Sequence, residues 1–377
     1  MKRILLTLAL LALCVGAHGD KVVYCNHPAF GLSPYTWHLT TTFNTPTAEA
    51  PNPGAYIKTI VSGTTSVKLR LDTSANKATG LRTNVYIMYT VDDGPFAIYE
   101  LSGADDIDEV TLAENLDKSK DHKVEVYFKS ASLIGRWESS KTHLRVKALV
   151  LDDGGAIKPF PKRSKYAMIY GASGTEGVGA VSKFITWNDT STCNAVYSYP
   201  SMLFEALDCE YGQIASGGWG IWQREMPIPP MHESWSYLWK DVSRLKNGKF
   251  SPKPDYIIIH MGGNDRRLSD NNYNIDLITP YLKILREMRA AAPDSIIFCT
   301  VSVTGAHREN IRKVVEKFND KRVVFIDVPS VNCKVPAGES RPTSVTYDAW
   351  HPDVYGNGII AACLTAEIHK AIDKLDK

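Results

Sequence analysis

Between about residue 56 and residue 151 apolar and polar positions alternate. Val67, Leu69 and Leu71 form one set, Val124, Val126 and Phe128 a second, and Leu144, Val146, Ala148 and Val150 a third. A period of two turns one face of a strand to a core and the other to water, so this stretch predicts half-buried strands. The run Val85-Tyr86-Ile87-Met88-Tyr89-Thr90-Val91 meets Asp92-Asp93-Gly94-Pro95 and resumes as Phe96-Ala97-Ile98-Tyr99. Two strand-like runs parted by turn residues predict a hairpin. Short strands punctuated by turns, with helical periodicity nearly absent, predict an antiparallel β-sandwich of the jelly-roll kind. Asp152-Asp153-Gly154-Gly155, with Pro159, Pro161 and Lys162 beyond it, is polar and rich in turn formers and predicts a linker.

The pattern then changes. Tyr166-Ala167-Met168-Ile169-Tyr170 and Tyr256-Ile257-Ile258-Ile259-His260-Met261 are apolar without alternation, and further runs lie at 296–303 and 323–328. Uninterrupted apolar strands are buried on both faces, as in a parallel sheet. Between them Tyr281, Leu282, Leu285 and Met288 share one helical face, Ile311, Val314, Val315 and Phe318 share another, and residues 359–375 close the chain helically. Strands alternating with helices predict an α/β fold, a doubly wound parallel sheet whose working groups gather at the carboxyl ends of the strands.

Met1, Lys2 and Arg3 precede an apolar run at 4–15 and the small residues Ala17 and Gly19, which predicts a cleaved signal peptide over 1–19 and a secreted chain without a membrane anchor after cleavage. Residues 20–160 are then the sandwich domain and 161–377 the α/β domain. Lys and Arg total 43 against 41 Asp and Glu, with no basic stripe, which argues against nucleic acid as a partner. Cys25, Cys193, Cys209, Cys299, Cys333 and Cys363 remain after cleavage, and an even number in an oxidising compartment predicts disulfides. No CxxC pair supports a zinc site, and Asn188-Asp189-Thr190 is a glycosylation acceptor triplet. Tyr35, Trp37, Tyr86 and Trp137 could stack on sugars or serve as packing.

The first apolar strand of the second half runs into Gly171-Ala172-Ser173-Gly174-Thr175-Glu176-Gly177. A P-loop would need Gly-Lys-Ser/Thr, and no lysine follows Gly171 until Lys183; a dinucleotide fingerprint would need glycine where Ser182 stands; the elbow G-x-S-x-G is broken by Thr175. What remains is a serine on a tight strand-to-helix turn. Gly262-Gly263-Asn264-Asp265 ends another strand at the same rim, and Asp348-Ala349-Trp350-His351-Pro352 follows near the C-terminus. Asp348 and His351, three apart, can lie on one side of a turn, the carboxylate orienting the imidazole so that its other nitrogen faces the serine. A serine hydroxyl needs such a base, and an acyl-transfer intermediate needs donors for its oxyanion. His260 ends a strand nearby without a nameable partner and reads as structural.

The order Gly-x-Ser-x-Thr, glycine block, Gly-x-Asn-Asp, Asp-x-x-His resembles the SGNH, or GDSL-type, hydrolases over roughly residues 164–377. The sandwich in front, Ala195-Val196-Tyr197-Ser198-Tyr199-Pro200 and Gly218-Trp219-Gly220-Ile221-Trp222 resemble the family 2 carbohydrate esterases more narrowly. The resemblance implies Ser173 as nucleophile, His351 as general base and then acid, and Asp348 as the group that fixes His351. It implies an oxyanion hole from the Ser173 N–H, the Asn264 side-chain amide and Gly218, with Gly217 as the alternative glycine. Ala172 stands where the family carries aspartate. The implied activity is removal of acetyl groups from O-acetylated oligo- or polysaccharide through an acyl-serine intermediate, with no metal and no organic cofactor. Trp219, Trp222 and Trp350 would line or wall the sugar cleft. A glycan-binding protein that has lost turnover, and a lipid or aryl esterase of the same fold, are the competing readings.

Overall fold

The computed structural model describes residues 19–42, 44–76, 84–101, 103–182, 189–223, 228–266, 272–302, 304–328 and 351–376. Most of the expected leader, together with Asn188, Cys333, Asp348 and Trp350, lies outside the described residues.

The first half folds into two antiparallel sheets. One runs in the order His38–Thr42, Thr45–Ala50, Leu144–Leu151, Val67–Asp72, Ile107–Ala113, with Lys21–Tyr24 added beside Leu144–Leu151. The other runs Ala156–Pro159, Tyr56–Ser62, Asp121–Ser130, Tyr86–Val91, Ala97–Glu100. The alternating sets meet between them: Val67, Leu69, Leu71, Val124, Val126, Phe128, Leu144 and Val146 are all buried in one core. The expected hairpin is present, with Tyr86–Val91 paired to Ala97–Glu100. Asp92 and Asp93 both take positive φ, 55° and 57°, and the Gly94 N–H donates to Val91 O at 3.0 Å. Two left-handed residues in a row match the right-handed twist of the strands they join.

Part of the expected linker is a strand. Ala156–Pro159 pairs with Tyr56–Ser62 and borders its sheet. An edge strand is bonded on one side only, so it tolerates polar residues and a proline that a central strand would reject.

The second half is a five-stranded parallel sheet. Its strands are β1 (Lys165–Gly171), β2 (Cys209–Ala215), β3 (Tyr256–Met261), β4 (Ile296–Val301) and β5 (Val323–Ile326), in the spatial order β2-β1-β3-β4-β5. The strand faces divide the core in two. Met168, Tyr170, Ile257, Ile259, Ile297 and Cys299 pack on one side with helices Ile278–Ala291 and Arg308–Phe318. Ala167, Ile169, Ile258 and Phe298 pack on the other with helices Tyr199–Ala206 and Val354–Leu375. Burial on both faces explains the unbroken apolar runs. Among the described residues no helix is long and apolar enough to cross a membrane.

The two halves share buried groups. Tyr35, between the sandwich strands Lys21–Tyr24 and His38–Thr42, is buried in a core of the parallel sheet rather than displayed, with its carbonyl accepting from Arg244 Nη1 at 2.7 Å. Asn52 Nδ2 donates to Ala215 O, at the end of β2, at 2.9 Å.

The disulfide expectation is corrected for five of the six cysteines, since Cys25, Cys193, Cys209, Cys299 and Cys363 are all free thiols. Cys25 lies in the sandwich core, Cys299 on one face of the parallel sheet, and Cys209 and Cys363 on the other. Burial pushes the Cys25 thiol up to about 11 and those of Cys209 and Cys299 up to about 12. These positions use cysteine as a small hydrophobe. Alkylation under denaturing, non-reducing conditions followed by peptide mass spectrometry is expected to find all five modified; a linked peptide pair among them would contradict the assignment.

Candidate functional site

Strand β1 ends at Gly171, where a Cβ would collide with the Thr175 side chain. Threonine at 175 therefore closes over glycine at 171, and this turn does not need the second glycine of the hydrolase elbow. Ser173 opens a single helical turn, α1 (Ser173–Glu176), after Ala172 in extended conformation. The first N–H groups of any helix lack internal acceptors, and Ala172 supplies no side-chain cap. The turn stops at Gly177, whose φ of 78° and close approach to the Asn194 carbonyl both require glycine. Ser173 is half-buried, and its Oγ has no hydrogen-bond partner among the described residues.

His351 belongs to a segment that reaches this turn by a different route. It is buried and precedes the helix α5 (Val354–Leu375; α2, α3 and α4 are Tyr199–Ala206, Ile278–Ala291 and Arg308–Phe318). Asp353 caps α5 by accepting from Gly356 N at 2.8 Å. Asn357, fully buried, donates to Pro352 O at 2.9 Å and Asp353 O at 3.0 Å, and accepts from Tyr199 N at 2.9 Å. Tyr199 Oη in turn bonds Thr175 Oγ1 at 2.5 Å. Pro352 lies against the serine turn, its Cδ 3.6 Å from where a Cβ on Gly174 would stand. Ser173-Gly174 and His351-Pro352 are thus adjacent, and Asn357 and Tyr199 tie the two segments together.

The glycine block forms the third wall. Ser216 N donates to Gly171 O at 3.3 Å, and Trp219 N turns back to Ser216 O at 3.1 Å. Gly217 and Gly218 differ in what their N–H groups do. That of Gly217 is taken, donating to the buried Glu176 Oε2 at 2.8 Å. Gly218, at φ 72°, has no acceptor among the described residues. Asn264 Nδ2 donates to Trp219 O at 3.0 Å. A carbonyl partner can only face the amide nitrogen, so the orientation of the Asn264 amide is fixed and its second N–H remains for another acceptor.

Asp265 holds this wall. Its carboxylate accepts from the backbone N–H groups of Ile221, Trp222 and Gln223 at 3.1, 2.7 and 3.3 Å. A Cβ on Gly220 would come within 2.7 Å of Asp265 Oδ1, so only glycine lets the carboxylate in. Burial pushes the Asp265 carboxyl up while the three donors pull it down. The sequence shows Asp265 only as part of a strand end and assigns no role to Glu176 or Asn357. Their partners lie 41 and 158 positions away in the chain, and no local pattern announces them. Asp265→Ala is expected to strand the three N–H groups, lower stability by about 3 kcal/mol or more and reduce turnover more than tenfold. Denaturant unfolding and ester cleavage together check this.

His260 has the structural place expected of it. Its ring packs on Tyr199 with centroids 5.0 Å apart, Nδ1 is buried without a partner, and burial alone lowers its pKa to about 4. A folded-state pKa below the unfolded value near 6.5 means that stability is full above about pH 6.5 and falls as pH drops toward 4. His260→Phe is expected to flatten the melting temperature between pH 7 and pH 4 relative to the parent; an unchanged slope would rule out this titration. Trp219 belongs to the core, its Nε1 donating to Pro229 O at 3.0 Å, which removes it from any sugar platform, whereas Trp222 is half-buried beside the wall.

No family model matches the chain. It is similar to cellulase/esterase CelE of Acetivibrio thermocellus, 27% identical over 252 residues, which is 62% of this chain and 29% of that protein. The chain therefore spans less than a third of the curated relative's length. Among solved structures it is similar to a family two carbohydrate esterase from Cellvibrio japonicus, with TM-score 0.76 and 19% identity over 94% of this chain and 98% of that one. It is also similar to an acetyl xylan esterase from Butyrivibrio proteoclasticus, with TM-score 0.71 and 15% identity over 94% and 99%. The sandwich and the α/β layer are both covered, and the fold is that of the SGNH-type family 2 carbohydrate esterases.

Proposed function

We propose that this chain is a serine esterase that removes ester-linked acetyl groups from carbohydrate through an acyl-enzyme on Ser173. The observation that carries the reading is the convergence of four chain segments at one rim of the parallel sheet. The Ser173 turn, the Gly218 loop and the Asn264 turn are joined by hydrogen bonds, and His351-Pro352 packs on the first of them. The carbohydrate and the acetyl group come from the similar proteins, of which one acts on acetyl xylan and another is a carbohydrate esterase.

In this reading the Ser173 hydroxyl attacks the ester carbonyl carbon while His351 takes its proton. Charge develops on the carbonyl oxygen, where the Ser173 and Gly218 backbone N–H groups and the second N–H of Asn264 donate to it. His351 returns the proton to the departing sugar oxygen, and the C–O bond to the sugar breaks. A water, deprotonated by His351, then attacks the acetyl carbon, the bond from that carbon to Ser173 Oγ breaks as His351 returns the proton to Oγ, and acetic acid leaves and ionises to acetate. Asp348 accepts from the imidazole and keeps its other nitrogen toward Ser173. A site largely walled off from water, as the burial of His351 and Gly217 supports, strengthens each of these donors.

Ser173→Ala is expected to lower cleavage of 4-nitrophenyl acetate and acetylated xylan by about 10⁴-fold or more. Asn264→Ala is expected to lower turnover by about 10²- to 10³-fold. Near-normal turnover in Ser173→Ala would sink the assignment. Affinity for a glycan with no cleavage of acetyl, butyryl or aryl esters would replace it with a binding role.

A further inference from the structure

The loop that carries Gly218 is held from two sides, and one of them is the β-sandwich. Glu176 stands three residues after Ser173 on the same helical turn, with its side chain only 4% exposed. One carboxylate oxygen accepts the Gly217 N–H at 2.8 Å. The other faces Arg136 Nη2 at 2.6 Å. Arg136 lies on the sandwich, in the segment after the strand Asp121–Ser130, and its side chain is 2% exposed. The same Nη2 donates to Ala131 O at 2.8 Å within that segment, and Nη1 approaches Ala215 O, just before the glycine block, at 3.5 Å. Leu133, from the same segment, lies 2.8 Å from where a Cβ on Gly217 would stand.

We propose that Arg136 and Glu176 are positioning residues, a buried ion pair through which the β-sandwich fixes the Gly217 peptide so that the next N–H, that of Gly218, points at the reacting carbonyl. The inference rests on the esterase reading above and extends it. A carboxylate has two oxygens and can accept from a guanidinium and a peptide N–H at once. A well-packed apolar pair could replace the charges for stability alone, but it would leave the Gly217 N–H without an acceptor. The Gly217 peptide would then be free to rotate and carry Gly218 out of line. Glu176 has no role as an acid or nucleophile here, because both of its oxygens are engaged and it is sealed from the cleft. The sandwich is on this account part of the esterase site as well as its neighbour.

Two double variants separate holding the loop from holding the fold. Arg136→Met with Glu176→Met removes the charges and the acceptor; Arg136→Met with Glu176→Gln removes the charges and keeps an amide oxygen for the Gly217 N–H. With 4-nitrophenyl acetate the first is expected to lose about 10²-fold in kcat with KM little changed, as when an oxyanion donor is lost. The second is expected to stay within about tenfold of the parent. Amide exchange of the peptide over 214–220 should be fast in the first and slow in the second and the parent. Equal kcat in both double variants, or losses that follow melting temperature alone, would overturn the proposal. If the parent cleaves no ester, the functional reading fails and the exchange data decide the rest: protection that depends on the residue 176 acceptor supports the tie, and equal exchange in all three proteins overturns it.

Discussion

A backbone N–H shut away from water must find an acceptor, and the segment 216–223 satisfies this with two buried carboxylates. Glu176 takes the Gly217 N–H, and Asp265 takes those of Ile221, Trp222 and Gln223. An uncompensated buried donor costs about 1–3 kcal/mol, so each of these bonds fixes the path of the loop as well as satisfying it. Neither carboxylate takes the Gly218 N–H, which stands at positive φ near an Asn264 amide whose orientation is set by Trp219 O. On the proposed reading, these donors are in place before any substrate arrives. That is the condition under which electrostatic stabilisation of a developing charge needs no reorganisation.

The same rule governs the other side of the cleft. Asn357 spends both ends of its amide on the start of α5 and the start of α2, and Tyr199 continues the connection to Thr175, two residues beyond Ser173. His351 rides on this framework through Pro352. Most of the groups that bring the serine and histidine segments together are not among the proposed reacting groups, so loss of any one of them is expected to displace Ser173 and His351 rather than remove them.

Layer architecture is legible in the amino-acid sequence because burial on one face and on two faces leave different periods. Val67, Leu69 and Leu71 alternate, Ile257, Ile258 and Ile259 do not, and each set occupies the environment its pattern demands. Local turn chemistry is equally legible at Asp92-Asp93. Ala156–Pro159 escapes it because an edge strand carries no apolar signature, and the cysteines mislead because compartment says nothing about which thiols approach one another. Of the proposed site residues, Ser173, Gly218 and Asn264 announce themselves through glycines and strand ends, and His351 through its spacing from Asp348. Arg136, Glu176, Asp265 and Asn357 do not, because a carboxylate or amide that serves a distant peptide looks in sequence like any surface residue. Asp348, the proposed orienting group, lies outside the described residues.

The central claim is that Ser173, Gly218, Asn264 and His351 act on one carbonyl. A crystal structure of the protein inactivated by an alkyl phosphonate ester tests it most directly, because the phosphonyl oxygen stands in for the oxyanion. The expected result is phosphorus bonded to Ser173 Oγ, with that oxygen about 2.7–3.1 Å from Gly218 N and Asn264 Nδ2 and the His351 imidazole beside the leaving-group position. Phosphorus on another residue, or its oxygen turned away from both donors, would contradict the account.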